Sequence, residues 1–68
     1  MNEDKFNLSL RQFLKTFGIT GQREIEKAVG DAIRVGKLRG NEPLRARVTL
    51  EIDDLPLEKV VEGDIVLE

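Results

Sequence analysis

Apolar residues come in two rhythms along this chain, one helical and one pleated, and the change falls near Pro43. Phe6, Leu10, Phe13, Leu14 and Phe17 recur at i, i+4, i+7, i+8 and i+11, a single stripe of a 3.6-residue period. This predicts a first helix from about Glu3 to Phe17, with all three aromatic residues on its stripe. Glu3 and Asp4 open it where the helix dipole favours anions, and Lys15 lies near its end where cations are favoured. Gly18 supplies the left-handed residue that commonly terminates a helix, and Ile19 can fold back onto the last turn. Leu8 falls opposite the stripe. Thr20, or Gly21 in a competing register, then caps a second helix carrying Ile25, Ala28, Val29, Ala32 and Ile33 on one face. Gly36 stops it. Ala28 and Ala32 keep that face small, which suits close approach of two helices.

After the breakers Gly40, Asn41 and Pro43 the period drops to 2. Leu44, Ala46, Val48, Leu50 and Ile52 alternate with Arg45, Arg47, Thr49 and Glu51, a strand over 44–52. Asp53-Asp54-Leu55-Pro56 reads as a turn. A second strand follows over about 58–67, with Val61, Gly63, Ile65 and Leu67 on one face and Val60, Glu62, Asp64, Val66 and Glu68 on the other. So short a loop makes the pair antiparallel. A lone hairpin is marginal in water, so both helices are expected to cover its apolar face. The expected architecture is α+β: two amphipathic helices packed on an antiparallel β-hairpin (ααββ), one small domain over residues 1–68. Two open strand edges remain, and pairing of copies edge to edge predicts a homodimer with a four-stranded sheet.

Length sharpens this picture. A domain of 68 residues buries only about 60% of the surface its unfolded chain exposes. Without cysteine no disulfide or thiolate metal site staples it, so packing or self-association must. The absence of cysteine fits a reducing compartment. Met1-Asn2-Glu3-Asp4 is unlike a secretory signal, and no apolar run reaches the roughly 20 residues of a membrane span. A cytoplasmic location away from membranes is expected.

Net charge is only −2, but its distribution is uneven. Residues 34–47 hold Arg34, Lys37, Arg39, Arg45 and Arg47 against Glu42 alone, net +4, and residues 48–68 hold seven acids against Lys59, net −6. The five cations form a candidate anion or nucleic-acid patch. Against that, Arg45 and Arg47 are expected beside Glu62, Asp64 or Glu68 on the same face, which is ordinary cross-strand pairing. Helix, turn, helix and hairpin is also the order of part of a winged helix-turn-helix domain. Its reading helix would carry three acids, Glu24, Glu26 and Asp31, toward phosphates. Gly18-Ile19-Thr20-Gly21 has the spacing of the GXXG loop of KH domains, although a C-cap running into an N-cap accounts for both glycines.

Catalytic candidates are few. His, Cys, Tyr and Trp are all missing, which removes the commonest general base and the strongest nucleophile. Ser9, the one serine, has no visible base. The acids Glu51, Asp53, Asp54 and Glu58 lack the pattern of a calcium loop and read as solvated turn residues. No catalytic, cofactor or metal residue is assigned, and the chain is expected not to be an enzyme.

The stretch Ser9-Leu10-Arg11 to Phe13-Leu14-Lys15, Gln22 to Ala28, Gly36 to Glu42 and Val48 to Ile52 resembles a family of small proteobacterial proteins of unknown function. The resemblance covers nearly the whole chain and implies a helix-helix-strand-strand layout and a bacterial source, but no activity or site. The functional expectation is a small non-enzymatic interaction or accessory protein, bound to an unidentified protein or to itself. The alternative is a nucleic-acid-binding module using the basic segment 34–47.

Overall fold

Asn2 starts the helix. Its backbone is extended and its side-chain oxygen accepts from the Lys5 N–H at 3.0 Å, satisfying one of the free donors of the first turn. From there a single helix, α1, runs over Glu3–Arg34, 32 residues, in a computed structural model that describes all 68 residues. The expectation of two helices is therefore corrected: no turn interrupts Gly18-Ile19-Thr20-Gly21. A glycine ends a helix only by taking a positive φ, and Gly18 and Gly21 do not; only Gly36 and Gly40 do. The apolar stripe also runs through without a phase break. Phe6, Phe17 and Ala28 are spaced by 11, as are Leu10, Gly21 and Ala32, and at 3.67 residues per turn such a repeat stays on one side of a nearly straight helix.

The end of α1 behaves as the sequence indicates. Val35 is its C-cap, Gly36 takes φ +83°, the Lys37 N–H bonds the Ala32 carbonyl at 2.8 Å and the Gly36 N–H bonds that of Ile33 at 3.1 Å. These two bonds form a Schellman closure, which needs a left-handed residue at position 36. Gly30 lies off the stripe, and a Cβ built on it meets nothing within 4 Å. Gly30→Ala is therefore expected to stabilise the helix by about 1 kcal/mol through propensity alone, read as a raised midpoint of thermal unfolding at 222 nm.

The chain divides into two units, Met1–Lys37 and Leu38–Glu68. The second holds strands β1 (Pro43–Glu51) and β2 (Glu58–Val66), paired antiparallel in a two-stranded sheet. Its register sets Leu44 opposite Ile65, Ala46 opposite Gly63 and Val48 opposite Val61 on one face. Arg45 opposite Asp64, Arg47 opposite Glu62 and Thr49 opposite Val60 make the other. Both strands and their faces match the alternation of the sequence. The connection closes with a hydrogen bond from the Leu55 N–H to the Ile52 carbonyl at 3.2 Å, with Asp54 at φ +67°, a conformation that Asp tolerates better than most residues.

No residue of the chain is buried, whether apolar or polar. Phe13 is 62% exposed, Phe17 45% and Val61 59%. A single copy thus presents its apolar faces to solvent.

Candidate interaction surfaces

Two apolar faces and one charged face are the features able to engage something else. On α1 the apolar stripe carries Phe6, Leu10, Phe13, Leu14 and Phe17 in its N-terminal half and Gly21, Ile25, Ala28, Val29 and Ala32 beyond it. Helix geometry sets its length: Phe6 to Ala32 is about 39 Å at 1.5 Å per residue. The stripe-facing side of Gly21 is close to the Phe17 ring, since a Cβ there would sit 3.6 Å from Phe17 Cε1. On the hairpin, Leu44, Ala46 and Leu50 are half-buried, and Val48 and Val61 stay open. Each strand also keeps one unpaired edge.

The charged face is largely internally compensated. Arg45 donates from Nη2 to Glu62 Oε2 and from Nη1 to Asp64 Oδ1, each at 3.0 Å. Glu62 first, and then Asp64, holds the Arg45 guanidinium above its ordinary pKa. Pairing of Arg45 with strand-2 acids is as the alternation implied. Arg47 lies opposite Glu62 in register, but the Glu62 carboxylate is turned to Arg45 and Arg47 joins no ion pair. Arg34 ends α1 and pairs with Asp31 one turn back at 3.0 Å. Lys37 and Arg39 follow the helix with no ion pair. Of the five cations proposed as a patch, Arg34 and Lys37 belong to the first unit and Arg39, Arg45 and Arg47 to the second.

Glu42, the single acid of the basic segment, has a role that the charge count missed. Its carboxylate accepts from the backbone N–H groups of Arg39 (2.8 and 3.0 Å), Gly40 (2.9 Å) and Asn41 (3.1 Å). Gly40 at φ +104° turns those donors inward. Successive N–H groups curled this way make a small anion nest, and the chain fills it with its own carboxylate. The legible signal was an acid placed directly after a Gly-Asn turn. Hydrogen bonds from the Arg39 amide foremost hold the Glu42 carboxyl below its ordinary 4.5. A lowered folded-state pKa means that this closure is complete above the ordinary value and is lost as pH falls through the lowered one. Protection of the amides of residues 39–41, relative to their intrinsic exchange, is expected to hold at pH 5 and to be lost only as pH falls through the lowered value. Glu42→Ala should remove that protection at every pH.

Neither nucleic-acid template survives as geometry. With one continuous helix there is no helix-turn-helix, so the winged reading is corrected, and Gly18 to Gly21 is helical backbone with no GXXG loop. No three acids gather closely enough to hold a metal ion, and no helix is long and apolar enough to cross a membrane.

A capped helix followed by an antiparallel two-stranded ribbon defines an α+β protein. The chain belongs to a family of unknown function, DUF6494, which matches residues 1–68. No curated protein and no solved structure matches it.

Proposed function

We propose that this chain is a small non-enzymatic interaction protein of the cytoplasm, working through the apolar faces that a single copy leaves open. The observation that carries the reading is the absence of any buried residue in a chain made of one capped helix and a regular two-stranded hairpin. Folded proteins of this size owe their stability to buried apolar surface. A stripe of Phe and Leu of this length earns its place by being covered. The lack of His, Cys, Tyr and Trp supports a non-catalytic role, and the absence of cysteine suits a reducing compartment.

The test is affinity capture after mild cross-linking in the native cytoplasm, comparing the wild-type chain with Phe13→Asp and Arg45→Ala. A partner, foreign or a second copy, is expected with the wild type and with Arg45→Ala, and lost with Phe13→Asp. Capture unaffected by Phe13→Asp would overturn the reading.

A second reading, binding of nucleic acid through the basic segment, retains one support: Lys37, Arg39 and Arg47 are in no ion pair. Two other cations, Arg34 and Arg45, are paired, and the one backbone anion nest is filled by Glu42. Phosphate neutralisation makes binding fall steeply with salt. Absence of binding to mixed DNA and RNA at about 50 mM salt would dispose of this reading.

A further inference from the structure

Resting on the reading of the chain as an interaction protein, we infer that the free edge of β1 pairs antiparallel with the same edge of a second copy. A two-fold axis at Val48 relates the two and makes one sheet of strand order β2-β1-β1-β2.

The first support is an edge left open. The sheet has two strands, so β1 keeps one side unpaired. Residues 43–51 pair one to one with 58–66, and no bulge twists that edge away. Proline stands only at its first position, and it contains no glycine. A regular edge of nine residues is a template for another strand.

The second support is charge, and it selects the occupant. Within the chain Glu51 stands opposite Glu58, a like-charge pair that weakens a hairpin. Neither Glu51 nor Arg47 is in an ion pair. A two-fold interface must be complementary to itself. Turning β1 about Val48 sets Glu51 opposite Arg45 of the second copy and diagonal to its Arg47, all on one face. Glu51 and Arg47 each gain an opposite charge. Thr49 meets Arg47 on that face, while on the other Val48 meets Val48 and Ala46 meets Leu50. These pairs account for every residue of the ladder, 45–51.

Other registers and edges fail the same test. A turn about Ala46 sets Arg45 against Arg47, and one about Arg47 sets that residue against itself. About Thr49 the strands overlap only over 47–51. Pairing β2 with β2 sets Glu58 against Asp64, Glu62 against Glu62, or Glu62 against Asp64, for axes at Val61, Glu62 or Gly63. Pairing β1 with β2 of the next copy joins unlike charges but never closes, and it runs on as an open ribbon.

Two readouts on the full chain test this. Glu51→Lys and Glu58→Lys relieve the same like-charge pair, so each leaves a lone hairpin at least as stable. Only Glu51 meets the second copy. By sedimentation equilibrium, Glu51→Lys is expected to weaken dimerisation about tenfold and Glu58→Lys not to weaken it. The second readout uses Val48→Cys and Thr49→Cys, singly, in a chain with no other cysteine. Directly opposite Cα atoms lie about 4.5–5.5 Å apart, within disulfide reach. The two Thr49 positions are offset to about 8 Å, beyond that reach. Mild oxidation is expected to give a covalent dimer with Val48→Cys and none with Thr49→Cys. Equal weakening by the two lysines, preferred cross-linking at Thr49→Cys, or a series of larger polymers overturns the inference. A monomer at high micromolar concentration overturns it too, and leaves an interaction protein if a foreign partner is captured through Phe13. The reading of the chain as an interaction protein fails separately, when capture ignores Phe13→Asp on α1.

Discussion

Phe17→Asp is expected to leave the chain unfolded and monomeric at micromolar concentration. Phe17 sits mid-stripe and is 45% exposed in a single copy. Were that exposure its working state, the change would alter stability within about 0.5 kcal/mol, as surface substitutions do. With the stripe covered, losing the ring and placing a carboxylate in an apolar seam removes about 3–5 kcal/mol. A chain of this size has roughly 3–10 kcal/mol to lose, at 0.05–0.15 kcal/mol per residue. Far-UV circular dichroism and sedimentation on the same sample separate the two outcomes. Thr16→Asp, one residue away and off the stripe, serves as the control and should keep both helix and mass.

The hairpin offers the second large effect. Val48 and Thr49 are neighbours in β1 on opposite faces, Val48 against Val61 and Thr49 against Val60. Val48→Asp is expected to destabilise by about 2–3 kcal/mol, the loss of a covered Val, and Thr49→Asp by less than about 1 kcal/mol, the span of strand propensity. Both place the same poor strand former one position apart, so the difference isolates coverage of the apolar face. Urea unfolding followed by circular dichroism measures it. Equal effects at the two positions would mean that neither face of the ribbon is covered.

Where the sequence was legible, a periodicity had only one structural solution. Alternation from Leu44 to Ile52 permits a strand and little else, and the Asp-Asp turn with a short loop forces antiparallel pairing. Arg45 therefore reaches Glu62 and Asp64 as the alternation implied. The ends of α1 were likewise written in Glu3, Asp4 and Gly36. The break at Gly18 was not, because a glycine permits a left-handed turn without compelling one. Phe17, Gly21 and Ile25 keep a single phase across the supposed boundary, and that continuity was the better guide. Glu42 was hidden for another reason: its partners are backbone amides, which no charge count sees. With no break at Gly18, 32 continuous residues carry the stripe as one seam.

One dilution series decides whether assembly and folding are a single event. Sedimentation equilibrium and ellipticity at 222 nm, read on the same samples from high micromolar to nanomolar chain, should fall together. The mass is expected to halve toward 7.7 kDa over the concentrations at which the helix signal disappears. A species of 7.7 kDa that keeps its full helix, with a melting temperature indifferent to concentration, would contradict the claim.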